Sequence, residues 1–243
     1  MTTCTTYLWI MLLLMHMLIS EANAIPATAT FYGGNDASGT NTGSCGYPNV
    51  LTIDGPMNTA LSGALYNGGE ACGACFKIQC ISIPFGNLQC LPGSIVVTAT
   101  NLCPQGSTGG WCDEPRSHFD LAEPAFQHLA PPVAGVVNVE YERVSCLRSG
   151  GIRFLIQGHP YFMQVLVYNV GGMGDVTAVS VKGSSSDWIQ MDRNWGQLWT
   201  TGTVLDGQAL SFSVTTSDGR TVASNGVADS DWQYGQTFEG NQF

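Results

Sequence analysis

From Ala27 to Tyr32, small or polar residues alternate with aromatics, and the run stops at Gly33-Gly34, as a strand ending in a glycine turn would. Asp36-Ala37-Ser38-Gly39 and Asn41-Thr42-Gly43 read as further turns. Ala60, Leu61, Ala64 and Leu65 follow Pro56 at helical spacing. The run closes on Asn67-Gly68-Gly69, which suits a C-cap, so a helix is expected here. Cys75 to Ile81 alternates as a strand, and Ile95 to Thr100 is a continuous, mostly β-branched run expected to form a buried strand. Asp120 precedes Leu121, Ala125, Phe126 and Leu129, with Glu123 and Pro124 in the first turn, which predicts a helix capped by Asp120. Val136, Val137 and Val139 open one more strand, leading to Cys146.

Past Arg148-Ser149-Gly150-Gly151 the texture changes. Ile152, Phe154 and Ile156 alternate with polar residues, Tyr161 to Val170 reads as one long strand, and Val179 alternates with Ser180, Val181 and Lys182. Leu210, Phe212 and Val214 alternate with serines, and Asp218-Gly219 turns the chain into Thr221-Val222-Ala223. Strands at this spacing with few helical signals predict an antiparallel β-sandwich. Of its tryptophans, Trp188 and Trp232 are expected in the core. Trp195, between Asn194 and Gly196, is expected at the surface. Tyr161 and Phe162 begin a strand and point to opposite faces, so at most one can share a platform with Trp195.

Cysteine usage supports the division. Cys4 lies in an apolar leader in which Tyr7 to Ile19 is almost wholly apolar and Ala22-Asn23-Ala24 has the small-x-small pattern of a cleavage site. Residues 1–24 are therefore expected to be a signal peptide, and the mature protein soluble and secreted. The other eight cysteines all precede residue 147, an even number that predicts four disulfides in an oxidising compartment. The expected organisation is a disulfide-stapled domain over 25–147, a linker over 148–151 and the sandwich over 152–243. Cys72-Gly-Ala-Cys75 has zinc or redox spacing, but secretion and the lack of a matching histidine pair favour a structural role.

Charge narrows the ligand. Eight Lys and Arg against 18 Asp and Glu give a net charge of −10. With no basic cluster, nucleic acid and anionic membranes are poor partners. A neutral, hydroxyl-rich ligand fits better. The chemistry-bearing stretch is Gly109-Gly110-Trp111-Cys112 running into Ser117-His118-Phe119-Asp120. Spacing alone leaves Asp120 open between a capping carboxylate and a general acid. His118 and His128 are too poorly accompanied to suggest a metal site, and no cofactor is expected.

Ala29-Thr30-Phe31-Tyr32-Gly33-Gly34, Asp36-Ala37-Ser38-Gly39-Thr40, Cys45-Gly46-Tyr47, Cys72-Gly73-Ala74-Cys75-Phe76, Leu91 through Asn101, Gly109-Gly110-Trp111-Cys112 and His118-Phe119-Asp120 resemble the α-expansins of plants. So do Gly150 through Phe154, Arg193-Asn194-Trp195-Gly196-Gln197, Thr215 through Arg220 and Gly235 through Gly240. The resemblance spans the whole mature chain. It implies an all-β protein: a six-stranded double-psi β-barrel like that of the family-45 endoglucanases, with short helices and disulfides, followed by an immunoglobulin-like sandwich that binds cellulose through aromatic residues. It also implies residence in the plant cell wall and an activity that loosens the wall without cutting it. The implied disulfides are Cys45–Cys72, Cys75–Cys146, Cys80–Cys90 and Cys103–Cys112.

Carried over residue by residue, the resemblance places the loosening groove at Thr30, Tyr32, Asp36, His118 and Asp120, and polysaccharide contacts at Phe31, Tyr161, Phe162 and Trp195. Asp120 stands where the hydrolases keep their general acid. The position of their base, two residues past the tyrosine, is Gly34, and Asn101 is neutral as well. An inverting glycosidase needs two carboxyl groups about 6.5–9.5 Å apart, so hydrolysis is not expected. Asp36 is the remaining candidate base, which keeps a weak endoglucanase as one alternative and a purely carbohydrate-binding module as another. The expected partners are cellulose and xyloglucan-type wall polysaccharides, with membrane association only through the wall fraction, and a monomer is expected. The chain departs from the family in a short Cys103–Cys112 loop, in Pro48, and in its acidity.

Overall fold

The computed structural model describes residues 24–81, 90–106 and 109–243, so most of the leader lies outside the described residues. Six strands close into a barrel: β1 Ile25–Tyr32, β2 Asn58–Leu61, β3 Cys75–Cys80, β4 Ser94–Leu102, β5 His118–Ala122 and β6 Val137–Val144. Their order around the barrel is β1-β5-β2-β4-β3-β6. β1 pairs in parallel with β5 and β2 with β4, whereas the other contacts are antiparallel. Alternation decides which side chains go inside. Ala29, Phe76, Ile78, Val97, Phe119, Leu121, Val137 and Val139 fill the core, leaving Thr28, Thr30, His118 and Asp120 at the intervening positions of β1 and β5.

Two helix expectations are corrected. Residues 58–61 form a strand, with only the four-residue α2 Gly63–Tyr66 after it (α1 is Val50–Ile53). β2 is paired on both sides and buried at all four positions, so it lacks the period-2 signal of a half-exposed strand. Asp120 lies within β5 and caps nothing. The helix, α3, runs from Glu123 to Phe126, and Ala122 at its N-cap makes no side-chain capping bond.

The second unit is a sandwich. One sheet has the order β10-β9-β13-β14, made of β9 Val176–Gly183, β10 Ile189–Gln190, β13 Leu210–Thr216 and β14 Thr221–Ala228. The other has the order β11-β12-β8-β7-β15, made of β7 Arg153–His159, β8 Phe162–Tyr168, β11 Asp192–Trp195, β12 Leu198–Thr201 and β15 Thr237–Glu239. Phe154 and Phe212 stack at 4.4 Å in its core. The strand expected from Tyr161 begins at Phe162, with Tyr161 in the hairpin turn. Trp232 is buried, but Trp188 is 42% exposed, against the expectation that it lies in the core. It belongs to the segment leading into the two-residue edge strand β10, where nothing covers its ring fully.

Four disulfides join Cys45 to Cys72, Cys75 to Cys146, Cys80 to Cys90 and Cys103 to Cys112. Cys45 and Cys72 also hold the sandwich. The buried Gln197 donates from Nε2 to the Cys72 carbonyl at 2.7 Å and from its backbone N to the Cys45 carbonyl at 3.1 Å. Leu166 and Leu198, on the outer face of the second sheet, join the barrel's apolar cluster. Arg143 reaches from β6 to Asp175 at 2.8 Å and to the Met173 carbonyl at 2.9 Å. Arg148 ion-pairs with the buried Asp54.

Contact at this seam requires glycine. A Cβ at Gly196 would lie 2.6 Å from the Cys45 carbonyl oxygen, and backbone cannot move aside as a side chain can. Gly196→Ala is therefore expected to destabilise the protein by about 2 kcal/mol. Denaturant titration of the variant checks this, and an unchanged midpoint would overturn the account of the seam.

Candidate groove and aromatic platform

Parallel pairing of β1 with β5 sets Thr28 opposite His118 and Thr30 opposite Asp120. Paired positions share a face, so the groove side chains meet. Thr30 Oγ1 donates to Asp120 Oδ1 at 2.8 Å. The same hydroxyl lies 2.8 Å from His118 Nε2, and Thr28 Oγ1 lies 2.7 Å from His118 Nδ1. His118 is fully buried. Burial, helped by the Arg116 guanidinium, pushes its pKa down to about 4, so the ring is neutral at the pH of most compartments. Burial pushes the Asp120 carboxyl above the usual range, against the opposing effect of the Thr30 hydrogen bond.

Tyr32 continues the same face of β1. Its hydroxyl is buried and closes no hydrogen bond of good geometry among the described residues, although Asn101 and Asp120 are near enough to influence it; desolvation raises its pKa. Asn101 Oδ1 is occupied by the backbone N–H groups of Ser44 and Leu102, at 2.8 and 2.9 Å. Asp36 lies outside both strands of that pair. It is exposed in the turn after β1 and accepts from Ser38 N at 2.9 Å, and hydrogen bonding from Ser38 holds its carboxyl below the usual range. Its Oδ1 would lie 2.8 Å from a Cβ built on Gly34, and Ser38 Oγ would lie 2.5 Å from it. The space a side chain at position 34 would enter is already taken.

Trp111 went unassigned in the sequence. Its ring is 47% exposed and stacks near-parallel to His118, with centroids 6.2 Å apart, while the Arg116 guanidinium lies 5.7 Å from its centroid. Asp113 ties Gly106 and Gly110 into the same loop, and Arg116 binds the Gly109 and Gly110 carbonyls. The cue was its place directly after the glycine pair and beside Cys112, in a loop that a disulfide closes.

The aromatic residues divide. Phe31 faces away from Thr30 and packs on Phe126 at 4.9 Å, partly buried against the core, so it is not brought to the groove. Trp195 (47% exposed) is paired with Leu198, and Leu198 with Leu166. Phe162 (43% exposed) lies four residues from Leu166 along β8, on the same face. Trp195 and Phe162 therefore share a sheet face beyond the barrel contact. Trp195 also borders the barrel, because a Cβ on Gly46 would lie 3.2 Å from its ring. Tyr161 is 76% exposed at the adjoining turn. Among the described residues no group of three or more His, Cys, Asp or Glu is placed to hold a metal ion.

A closed barrel with two parallel strand pairs, an acid on one face and an aromatic-bearing sandwich behind it define a two-domain protein of the double-psi-barrel class. Residues 152–228 match the family model described as the expansin C-terminal domain, and residues 58–141 match the one described as lytic transglycolase. The chain is 49% identical over 218 residues to Expansin-A23 of Arabidopsis thaliana, covering 88% of this chain and 78% of that protein. It is 47% identical over 222 residues to Expansin-A32 of Oryza sativa subsp. japonica, covering 88% and 81%. The chain belongs to the expansin family. Its fold also matches the crystal structure of the apo expansin of Clavibacter michiganensis, with a TM-score of 0.69 at 22% identity over 89% of this chain and 96% of that one.

The raised carboxyl at Asp120 has a consequence for stability. A group whose pKa is higher in the folded chain contributes stability that is complete below its unfolded value and is lost as pH rises through the folded value. The window opens near the ordinary value of 3.8 and ends at the raised one. Asp120→Asn does not titrate there, so its stability relative to the parent should climb across that window and level off above it. Thermal unfolding of both proteins over a pH series checks the slope, and a difference that stays flat with pH contradicts the assignment.

Proposed function

We propose that this chain is a secreted plant cell-wall loosening protein. It grips glucan in the barrel groove and on the sandwich platform, and displaces contacts between neighbouring polysaccharides without hydrolysis. The observation that carries the reading is the acid without a base. Asp120 sits on the groove face, hydrogen-bonded by Thr30, while the position two residues past Tyr32 is Gly34, whose side-chain space is filled by Ser38 and Asp36. Family membership supports the wall as the site of action. A point mutant of the Clavibacter michiganensis expansin has been crystallised with cellohexaose, which supports a β-glucan as ligand. Cellulose and xyloglucan are the polymers we assign, bound by a monomer.

The platform follows from ring chemistry. The C–H faces of glucose units are flat and weakly apolar, and Trp195 and Phe162 offer exposed rings on one sheet face. In the groove, Thr30, Tyr32 and Asp120 offer the hydrogen bonding that sugar hydroxyls require. The rise of the Asp120 carboxyl makes its protonated, donating form more abundant in acid, which gives the loosening its acid dependence.

Heat-inactivated wall strips held under constant load at acidic pH should creep when the protein is added, with no reducing sugar released into the bath. Asp120→Ala, which removes both the acceptor and the donor, should slow creep by about tenfold or more, equivalent to about 1.4 kcal/mol. Full-rate creep by that variant would sink the groove's role. A second reading, a weak endoglucanase, is favoured by the closeness of Asp36 to the space beside Gly34. It requires sugar release that Asp36→Asn abolishes.

A further inference from the structure

The contacts around His118 form a chain with a direction. Thr30 has one hydroxyl proton, and it goes to Asp120 Oδ1. Toward His118 Nε2 the Thr30 oxygen must therefore accept, so Nε2 carries a hydrogen. With the ring neutral, Nδ1 is bare and accepts from Thr28. Donation runs one way, from Thr28 to His118 to Thr30 to Asp120. Bonds aligned in this sense polarise one another. The His118 backbone is anchored as well, its N–H donating to Ser62 Oγ at 3.2 Å. Asp120 Oδ2, by contrast, takes no hydrogen bond from the described residues.

We propose that His118, held as the Nε2–H tautomer between Thr28 and Thr30, is a positioning residue that keeps Asp120 Oδ1 an acceptor, so that the groove's proton is carried on Oδ2. Oδ1 is committed to Thr30, and reversing the chain requires three hydroxyl and ring protons to change places together. Protonation at Oδ2 leaves all three bonds intact. The oxygen left free is then the one that donates to a glucan hydroxyl, a consequence that rests on the loosening function proposed above. The direction of the chain rests on the hydrogen-bond geometry together with the neutrality of the buried ring, and not on the loosening function.

Other charges around the chain do not oppose this arrangement. Arg116, from the loop before β5, is the cation that acts on His118, and it disfavours a second proton on the ring. The Tyr32 phenol, from β1, is the titratable group that faces Asp120. Trp111 covers the His118 ring with an apolar face. The neighbours from β2 and the turn into α2 are the uncharged Thr59, Ala60 and Ser62.

The test is nuclear magnetic resonance on the full mature chain. Nitrogen-15 shifts of the His118 ring should show Nε2 protonated and Nδ1 bare from just above 4 to neutrality. The Asp120 side-chain carbon-13 titration should move up by about one pH unit in Thr30→Val. In Thr28→Val, which removes a group that never touches Asp120, it should move the same way by about 0.3 unit. A purely structural Thr28 would leave that midpoint in place. An Nδ1–H tautomer in the parent protein, which needs no substitution to detect, would overturn the proposal. So would an unmoved Asp120 midpoint in a folded Thr28→Val protein. Creep of wall strips is read separately. If the tautomer and midpoints are as stated and no strip extends, the loosening function fails and the hydrogen-bond chain stands.

Discussion

Pairing of β1 with β5 in one register sets both the core and the site. Thr28 opposite His118 and Thr30 opposite Asp120 place the polar residues on the groove face, and the same register sends Ala29, Phe119 and Leu121 inward. A slip of one residue would exchange the faces. It would expose Phe119 and Leu121, at about 1.5–3 kcal/mol each, and bring an ionisable carboxyl into the barrel, where an unpaired charge is costly. The groove chemistry is thus positioned by apolar side chains that never meet a ligand. Parallel pairing also explains why residues about 90 positions apart form the Thr30–Asp120 bond directly.

The second unit is built onto the first through a short segment around Cys45. Ser44 gives its N–H to Asn101, beside Tyr32, and its carbonyl accepts from the Tyr66 hydroxyl. Cys45 gives its carbonyl to Gln197, and Gly46 lies under the Trp195 ring. Within three residues the chain touches both the groove wall and the platform. The Cys45–Cys72 disulfide fixes that segment to Cys72, whose carbonyl Gln197 also reads. A polymer that lies across both surfaces therefore meets groups whose relative positions are set before it binds, which lowers the ordering cost of binding.

Much of this was legible in the sequence because the signals were local. Alternation located β1, β3, β7, β9 and β13, and the β-branched run located β4. The failures have physical causes. β2 is buried on both faces, so its small apolar residues carry no period-2 pattern and, with Ala64 and Leu65, imitate a helix. Asp120 is followed by Glu123 and Pro124, a sound helix start by local rules, yet the strand persists to Ala122 because β1 and β2 bind it on both sides. Trp188 shows the same limit. Whether a ring is covered depends on a neighbouring element, and sequence neighbours do not report it. The disulfide pairing came from family resemblance, since eight cysteines alone leave the connectivity open.

Two carboxyls displaced in opposite directions are the usual mark of an acid–base pair, and Asp120 is raised while Asp36 is lowered. The causes of the two shifts argue against that reading. Asp120 is raised by burial in the groove, the environment of a group that acts on a ligand. Asp36 is lowered by the Ser38 hydroxyl and backbone in its own exposed turn, an arrangement that stabilises the anion for the sake of the turn. A general base works best with a pKa near the operating pH, and a carboxylate held below its ordinary range attracts a proton from water more weakly. Asp36 takes up the space beside Gly34 without supplying the basicity that water activation demands. Among the described residues, the carboxyl that burial raises on this face is Asp120, bonded by Thr30, and Asp36 is not basic enough to serve as its partner.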